Sequence, residues 1–137
     1  MSYDRIYLDV CGIAGGGGDY MNYEIERLAH DVVVVRLFGE LDHHATEKIR
    51  THVSTEILQG QLKLLIWNLG GLQFMDSSGI GLVLGRMREL ETVEGKTMLL
   101  NPSSTTRKIF QFSGLGTYIV EGSEEIALQQ VRGIVNG

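Results

Sequence analysis

The chain opens its regular patterning at residues 22–28 (NYEIERL), where Tyr23, Ile25 and Arg27 alternate with polar neighbours as in a half-buried strand. After the turn-like Ala29-His30-Asp31 comes VVVVRLF, a nearly continuous β-branched run of the kind covered on both faces of a sheet. The period then changes. In DHHATEKIRTHVSTEILQG, Ala45, Ile49, Val53 and Ile57 recur every four residues, predicting a helix capped by Asp42 or a neighbour and stopped at Gly60. KLLIWNL reads as a second buried strand, and Gly70-Gly71 is expected to loosen the chain behind it. A second helix follows, with Ile80, Val83, Leu84, Met87 and Leu90 at helical spacing and Gly95 at its end. KTMLLN predicts a strand, SSTTRKIFQFSG a short helix started by Pro102 and closed by Gly114, and TYIV a last short strand. The terminal helix, SEEIALQQVRGIVNG, has Ser123 as its cap and acidic residues in the first turn, where the helix dipole favours them. The order β-β-α-β-α-β-α-β-α predicts an α/β domain: a mixed sheet of about four to five strands with about four α-helices packed against it.

Residues 1–20 break this pattern. The tetraglycine Gly15–Gly18 is followed closely by Met21, so 1–20 reads as a leader, tag or extension with a Gly-rich linker, and 21–137 as the domain. The rival reading makes RIYLDV a genuine edge strand. Whole-chain charge is −5; the 1–20 segment holds three Asp and one Arg, leaving 11 basic and 14 acidic residues in the domain. There is thus no basic field for nucleic acid or an anionic membrane. A single cysteine, Cys11, offers no internal disulfide, and no apolar run approaches the ~20 residues of a membrane span. A cytoplasmic protein is expected.

The chemistry worth weighing lies in FMDSSGIGLVLGRMREL. Ser77 as a hydrolase nucleophile would need an elbow of the form Gly-x-Ser-x-Gly, and Met75 stands where the first glycine should be. His30, His43, His44 and His52 remain as distant candidates for a base. Backbone phosphate binding at the start of the helix is a second reading, without any phosphate-loop sequence in support. The simplest reading is a cap by Asp76 or Ser77, worth about 1 kcal/mol. Against it stands the predicted outer face of this helix. Ser78, Leu82, Gly85 and Glu89 fall opposite the apolar stripe, with Gly81 and Arg86 at its margins. Glycines in a helix interior cost about 1 kcal/mol each against alanine, so a smooth, partly apolar face beside the serines reads as a docking surface. Gly79, Gly81 and Gly85 have a second reading, close packing on the sheet. A phosphate on Ser77 would be tolerated by the helix N-terminus yet would repel a docked partner. A loss of ~3–4 kcal/mol there changes affinity several hundredfold.

Asp42-His43-His44 could form a metal or phosphoesterase site only with further ligands that the sequence scarcely offers; a capping role for Asp42 with exposed histidines is the expectation, and no metal or cofactor is assigned. Arg107 and Lys108 read as surface charges or as partner contacts, Phe110 and Phe112 as core or near-core anchors, and Trp67 as buried at a strand end.

FMDSSGIGLVLGRMREL, VVRLFGELDHH and RKIFQFSGLG together strongly resemble the STAS family, over about residues 21–137. The resemblance implies a STAS-like single domain and a non-enzymatic role as antagonist of an anti-sigma factor. It implies that Ser77, the first serine of Asp-Ser-Ser-Gly, accepts phosphate from an anti-sigma serine kinase that carries ADP or ATP. The unphosphorylated form would bind that kinase and release the sigma factor, and a metal-dependent serine phosphatase would reset the switch. It further implies that Asp42 helps bind the kinase. Asp76, Ser78, Gly81, Leu82, Gly85 and Arg86 complete the expected partner-binding set. Ser78 is a rival acceptor one residue away, and a STAS scaffold or sensor of the stress-response type is the alternative role.

Overall fold

The computed structural model describes residues 6–11 and 23–136. From residue 23 onward the elements follow the expected order. Strands β2 (Tyr23–Ala29) and β3 (Val32–Leu41) form an antiparallel hairpin, and α1 (His43–Leu58) leads to β4 (Leu64–Met75). Helix α2 (Ser77–Glu91), β5 (Lys96–Leu100), α3 (Ser104–Phe112), β6 (Ile119–Val120) and α4 (Glu124–Asn136) complete the chain. Strands β3 to β6 are mutually parallel and ordered as in the sequence. Their C-terminal ends, and the N-termini of the four helices that follow them, therefore share one edge of the sheet.

The sheet has one strand more than expected. Ile6–Cys11, placed by composition in an appendage, forms β1 and pairs antiparallel with β2. The physical reason is the free edge of β2, whose unpaired N–H and C=O groups take a further strand readily. The rest of 1–20, including the tetraglycine, lies outside the described residues.

Both faces of the sheet are covered. One carries Val33, Val35, Leu65, Trp67 and Leu99 against α1, α2 and Phe110 of α3. The other carries Val32, Val34, Ile66 and Leu100 against Ala127, Leu128 and Val131 of α4. This two-sided cover is why the β3 and β4 cores read as unbroken apolar runs. On the α4 face, Arg36 breaks the β3 run. Its guanidinium bonds Glu24 at 2.6 Å and Glu26 at 2.7 Å on β2, and both oxygens of Glu124 at the head of α4, at 2.7 and 2.8 Å. Asn68 of β4 donates to the same Glu124 carboxylate at 2.6 Å. The polar cluster thus fastens the terminal helix to three strands.

Several local expectations change. β4 runs through Gly70-Gly71 to Met75 instead of loosening there, with register shifts against β3 between Arg36 and Phe38 and between Gly39 and Glu40. The extra length brings β4 level with the end of β3. Ser103, not Pro102, caps α3, its Oγ accepting from Thr106 N–H at 3.2 Å. Thr117 and Tyr118 belong to a 3-10 turn (Gly116–Tyr118), so β6 is only Ile119–Val120. Phe110 is fully buried, but Phe112, expected near the core, is 91% exposed because α3 ends there and the chain turns away at Gly114.

Candidate functional site

The site forms where β3 and β4 end side by side. Leu41 and Met75 are register partners and both are buried. One residue later each strand gives an aspartate that caps a helix. Asp42 Oδ1 accepts from Ala45 N–H at 2.8 Å, and Asp76 Oδ1 accepts from Ser78 N–H at 2.9 Å. The caps satisfy N–H groups that no helical carbonyl can reach. Asp76, not Ser77, is the cap of α2.

This division of labour separates the two serines. Asp76 Oδ1 also accepts from the Ser78 hydroxyl at 2.5 Å, so both donors of Ser78 are committed to the cap. Ser77 is the first residue of α2 and is exposed, and among the described residues its hydroxyl has no hydrogen-bond partner. The two Ser78 hydrogen bonds, with a smaller contribution from nearby His43, hold the Asp76 carboxyl below the usual carboxylate range. The site therefore carries an ionised aspartate beside a free primary alcohol. Among the described residues no histidine is bonded to Ser77 or Ser78, and no three His, Cys, Asp or Glu side chains converge to hold a metal ion. Phosphoryl acceptance from an external donor needs neither.

The outer face of α2 is rotated by roughly a quarter turn from the one expected, at 3.6 residues per turn. Gly79, Leu82, Val83, Arg86 and Leu90 are buried, while Ile80, Leu84 and Met87 are only partly so. Leu82, expected on the surface, is 3% exposed, and Arg86, expected at a margin, is 7% exposed. The reason is α1, which lies along this side of α2. Ser54 of α1 donates to Glu89 at 2.7 Å, and Arg86 Nε donates to the same carboxylate at 3.0 Å. The row Leu82-Arg86-Leu90, at i, i+4 and i+8, was the available signal for this contact.

The exposed row that results is Ser77, Gly81 and Arg88, with Ser78, Leu84 and Gly85 half-buried beside it. Arg88 is exposed, as a surface charge or partner contact would be, and Leu84, expected in the apolar stripe, borders this face while packing partly on the core. The glycines on α2 separate cleanly. A Cβ at Gly79 would stand 2.6 Å from Met75 Sδ, so that glycine serves packing on the sheet end. At Gly81 and Gly85 a Cβ would meet nothing within 4 Å, and neither has a positive φ. Nothing inside the domain requires them. Asp42, His43 and His44 are exposed at the head of α1, adjoining this row.

The STAS domain family model matches residues 23–128. The anti-sigma F factor antagonist of Lysinibacillus sphaericus is 62% identical over 117 residues, 85% of this chain and 100% of that protein. The solved structure of the anti-sigma factor antagonist SpoIIAA in its unphosphorylated form matches with a TM-score of 0.79 at 59% identity, covering 81% of this chain and 96% of that one. The phosphorylated form of the Bacillus cell fate determinant SpoIIAA matches with a TM-score of 0.73 at 59% identity, over 80% of this chain and 98% of that one. With the matched segment spanning β2 to β6, α1 to α3 and the Asp76-Ser77-Ser78 site, the chain belongs to the STAS domain family.

Proposed function

We propose that this chain is an anti-anti-sigma factor working by partner switching. Its unphosphorylated form binds an anti-sigma serine kinase with ADP or ATP in the kinase's own site, and the sigma factor is released. Transfer of the γ-phosphoryl group to the Ser77 hydroxyl ends that binding, and a metal-dependent serine phosphatase restores it. The chain itself acts as a binding module and phosphoacceptor in the cytoplasm, with no catalytic residue, metal or cofactor of its own.

The observation that carries this reading is the state of Ser77: exposed, unbonded, and at the head of a row whose Gly81 has open space where a side chain would fit. A backbone left bare at about 1 kcal/mol of helix stability per glycine suits close approach of another protein. Gly81 and Gly85 would let the kinase reach the α2 backbone; Asp42, Asp76 and Ser78 would present polar contacts at its end. Leu82 and Arg86 contribute from beneath, by holding α2 against α1. Phosphate at the first helical position meets free N–H groups and the positive end of the dipole, so the fold tolerates it. The similarity to one relative solved in both phosphorylation states agrees with that tolerance. The docked partner, in contrast, would have to bury or repel nearly two negative charges. The functional unit is taken to begin near residue 21, with β1 as an added edge strand.

The test is incubation with a purified anti-sigma F kinase and ATP, followed by intact-mass measurement and peptide mapping. A gain of about 80 Da on the Ser77 peptide, with loss of kinase binding, is the expected result. An unchanged mass with an active kinase would refute the proposal.

A further inference from the structure

Strands β3 and β4 enter their helices by the same three steps. Leu41-Asp42-His43 and Met75-Asp76-Ser77 each run from a buried strand end through a capping aspartate to an exposed first helical residue. Parallel strands lie about 4.8 Å apart and packed helices about 8–10 Å apart. His43 and Ser77 therefore occupy equivalent places at the open ends of adjoining helices. The imidazole also makes itself felt at both neighbouring carboxylates: after the Ser78 hydrogen bonds it contributes to the lowered Asp76 carboxyl, and after Arg50 to the lowered Glu47 carboxyl.

A phosphate on Ser77 would arrive in acidic surroundings. Asp42 and Asp76 stand at the two helix heads, and Glu47 lies one turn into α1, already tied to Arg50. The other cations of these helices are committed or remote. Arg86 is buried on Glu89, Lys48 lies beyond the first turn of α1, and Arg88 lies three turns down α2. His43 stands level with Ser77.

We propose that His43 receives the phosphate of phosphorylated Ser77, a ring N–H donating to a phosphate oxygen and the imidazolium balancing part of its charge. The inference rests on Ser77 as the acceptor and names the side chain that stabilises the modified state. In the unmodified protein the imidazole acts electrostatically on Asp76 and Glu47. After modification the phosphate dianion is the stronger acceptor, because charge-assisted hydrogen bonds gain with charge. His43 is thereby drawn to the phosphate and away from any docked partner.

The experiment uses the full chain with phosphoserine installed at position 77 during translation, so no kinase is needed. The phosphorus NMR signal is followed between about pH 5 and 8, the range in which histidine and phosphate exchange charge. The chain with His43 intact is compared with His43→Gln and His44→Gln. Loss of His43 is expected to raise the midpoint of the phosphate's second ionisation by about half a pH unit, with His44→Gln leaving it in place. Identical midpoints in the intact chain and in His43→Gln, or an equal change in both variants, would overturn the assignment. Such a failure leaves the partner switch untouched, and a kinase that ignores Ser77 leaves this measurement standing.

Discussion

Asp76 holds Ser78 by both of its donors, the N–H at 2.9 Å and the hydroxyl at 2.5 Å, and so leaves Ser77 as the free alcohol of the pair. An acceptor must rotate its hydroxyl toward the donor phosphate, and only Ser77 can do so without breaking the cap. Ser77→Ala should abolish phosphorylation and leave kinase binding largely intact. Ser78→Ala should still take one phosphate, at Ser77. Peptide mapping after reaction with kinase and ATP distinguishes them, and phosphate on Ser78 in the Ser77→Ala chain would contradict the assignment.

The same two hydrogen bonds set a pH dependence. They lower the Asp76 carboxyl in the folded state. A group lowered on folding adds stability that is present above its unfolded value and is lost as pH falls through its folded value. Ser78→Ala removes the hydroxyl donor, so the Asp76 carboxyl should titrate at higher pH, readable by carbon NMR of the carboxylate. The stability difference between the two chains should be present at neutral pH and close on acidification below the carboxylate range. A difference that widens on acidification would reverse the sign argued here.

Helix α1 was legible because its large apolar residues all fall on one row, the sheet-facing one, even though α2 lies beside it. Its Ala45-Ile49-Val53-Ile57 row is the buried row, and Asp42 is its cap. Helix α2 was not, because it meets both the sheet and α1. Its apolar residues spread over more than half the circumference, and the stripe drawn through Ile80, Val83, Leu84, Met87 and Leu90 holds the buried Val83 and Leu90 but leaves out Leu82 and Arg86. Arg86 gives no apolar signal at all, since its burial depends on Glu89, itself bonded to Ser54 of the other helix. β1 was obscured by the glycine run behind it and by a pairing partner that lies across that run. The acceptor motif itself was legible, whereas the inequality of its two serines needed the direction of the Asp76 side chain.

Alanine at the two kinds of glycine in α2 should act in opposite directions. Gly81→Ala adds a methyl to open space in a helix interior, and should stabilise the domain by about 0.5–1 kcal/mol. Its kinase affinity should fall, because the methyl stands on the docking row beside Ser77. Gly79→Ala drives a methyl toward Met75, whose Sδ would be 2.6 Å and whose Cβ and Cγ would be 3.3 Å away. Met75 is buried and cannot swing clear, so a loss of roughly 1–3 kcal/mol is expected. Urea unfolding and calorimetric titration with the kinase measure the two effects. A Gly81→Ala chain that is more stable and binds unchanged would remove the docking role from that position.

Arg36 offers a test on the opposite face of the sheet. It is the common partner of Glu24, Glu26 and Glu124, and Glu26 is only 1% exposed. Arg36→Met keeps the length and apolar stem of the side chain but strips the guanidinium from three carboxylates. Removing one member of a buried ion pair typically costs ~3–5 kcal/mol, mostly from the charge left behind. A loss near the lower end is expected because Glu24 and Glu124 retain some contact with water. Since Glu124 opens α4, hydrogen exchange should accelerate along that helix before it does in α1 or α2. Replacing Glu26 with Gln in the same chain should recover part of the loss, as the buried charge is then gone. Failure of that rescue, with α4 exchanging as slowly as in the parent, would show that the cluster does not fasten the helix.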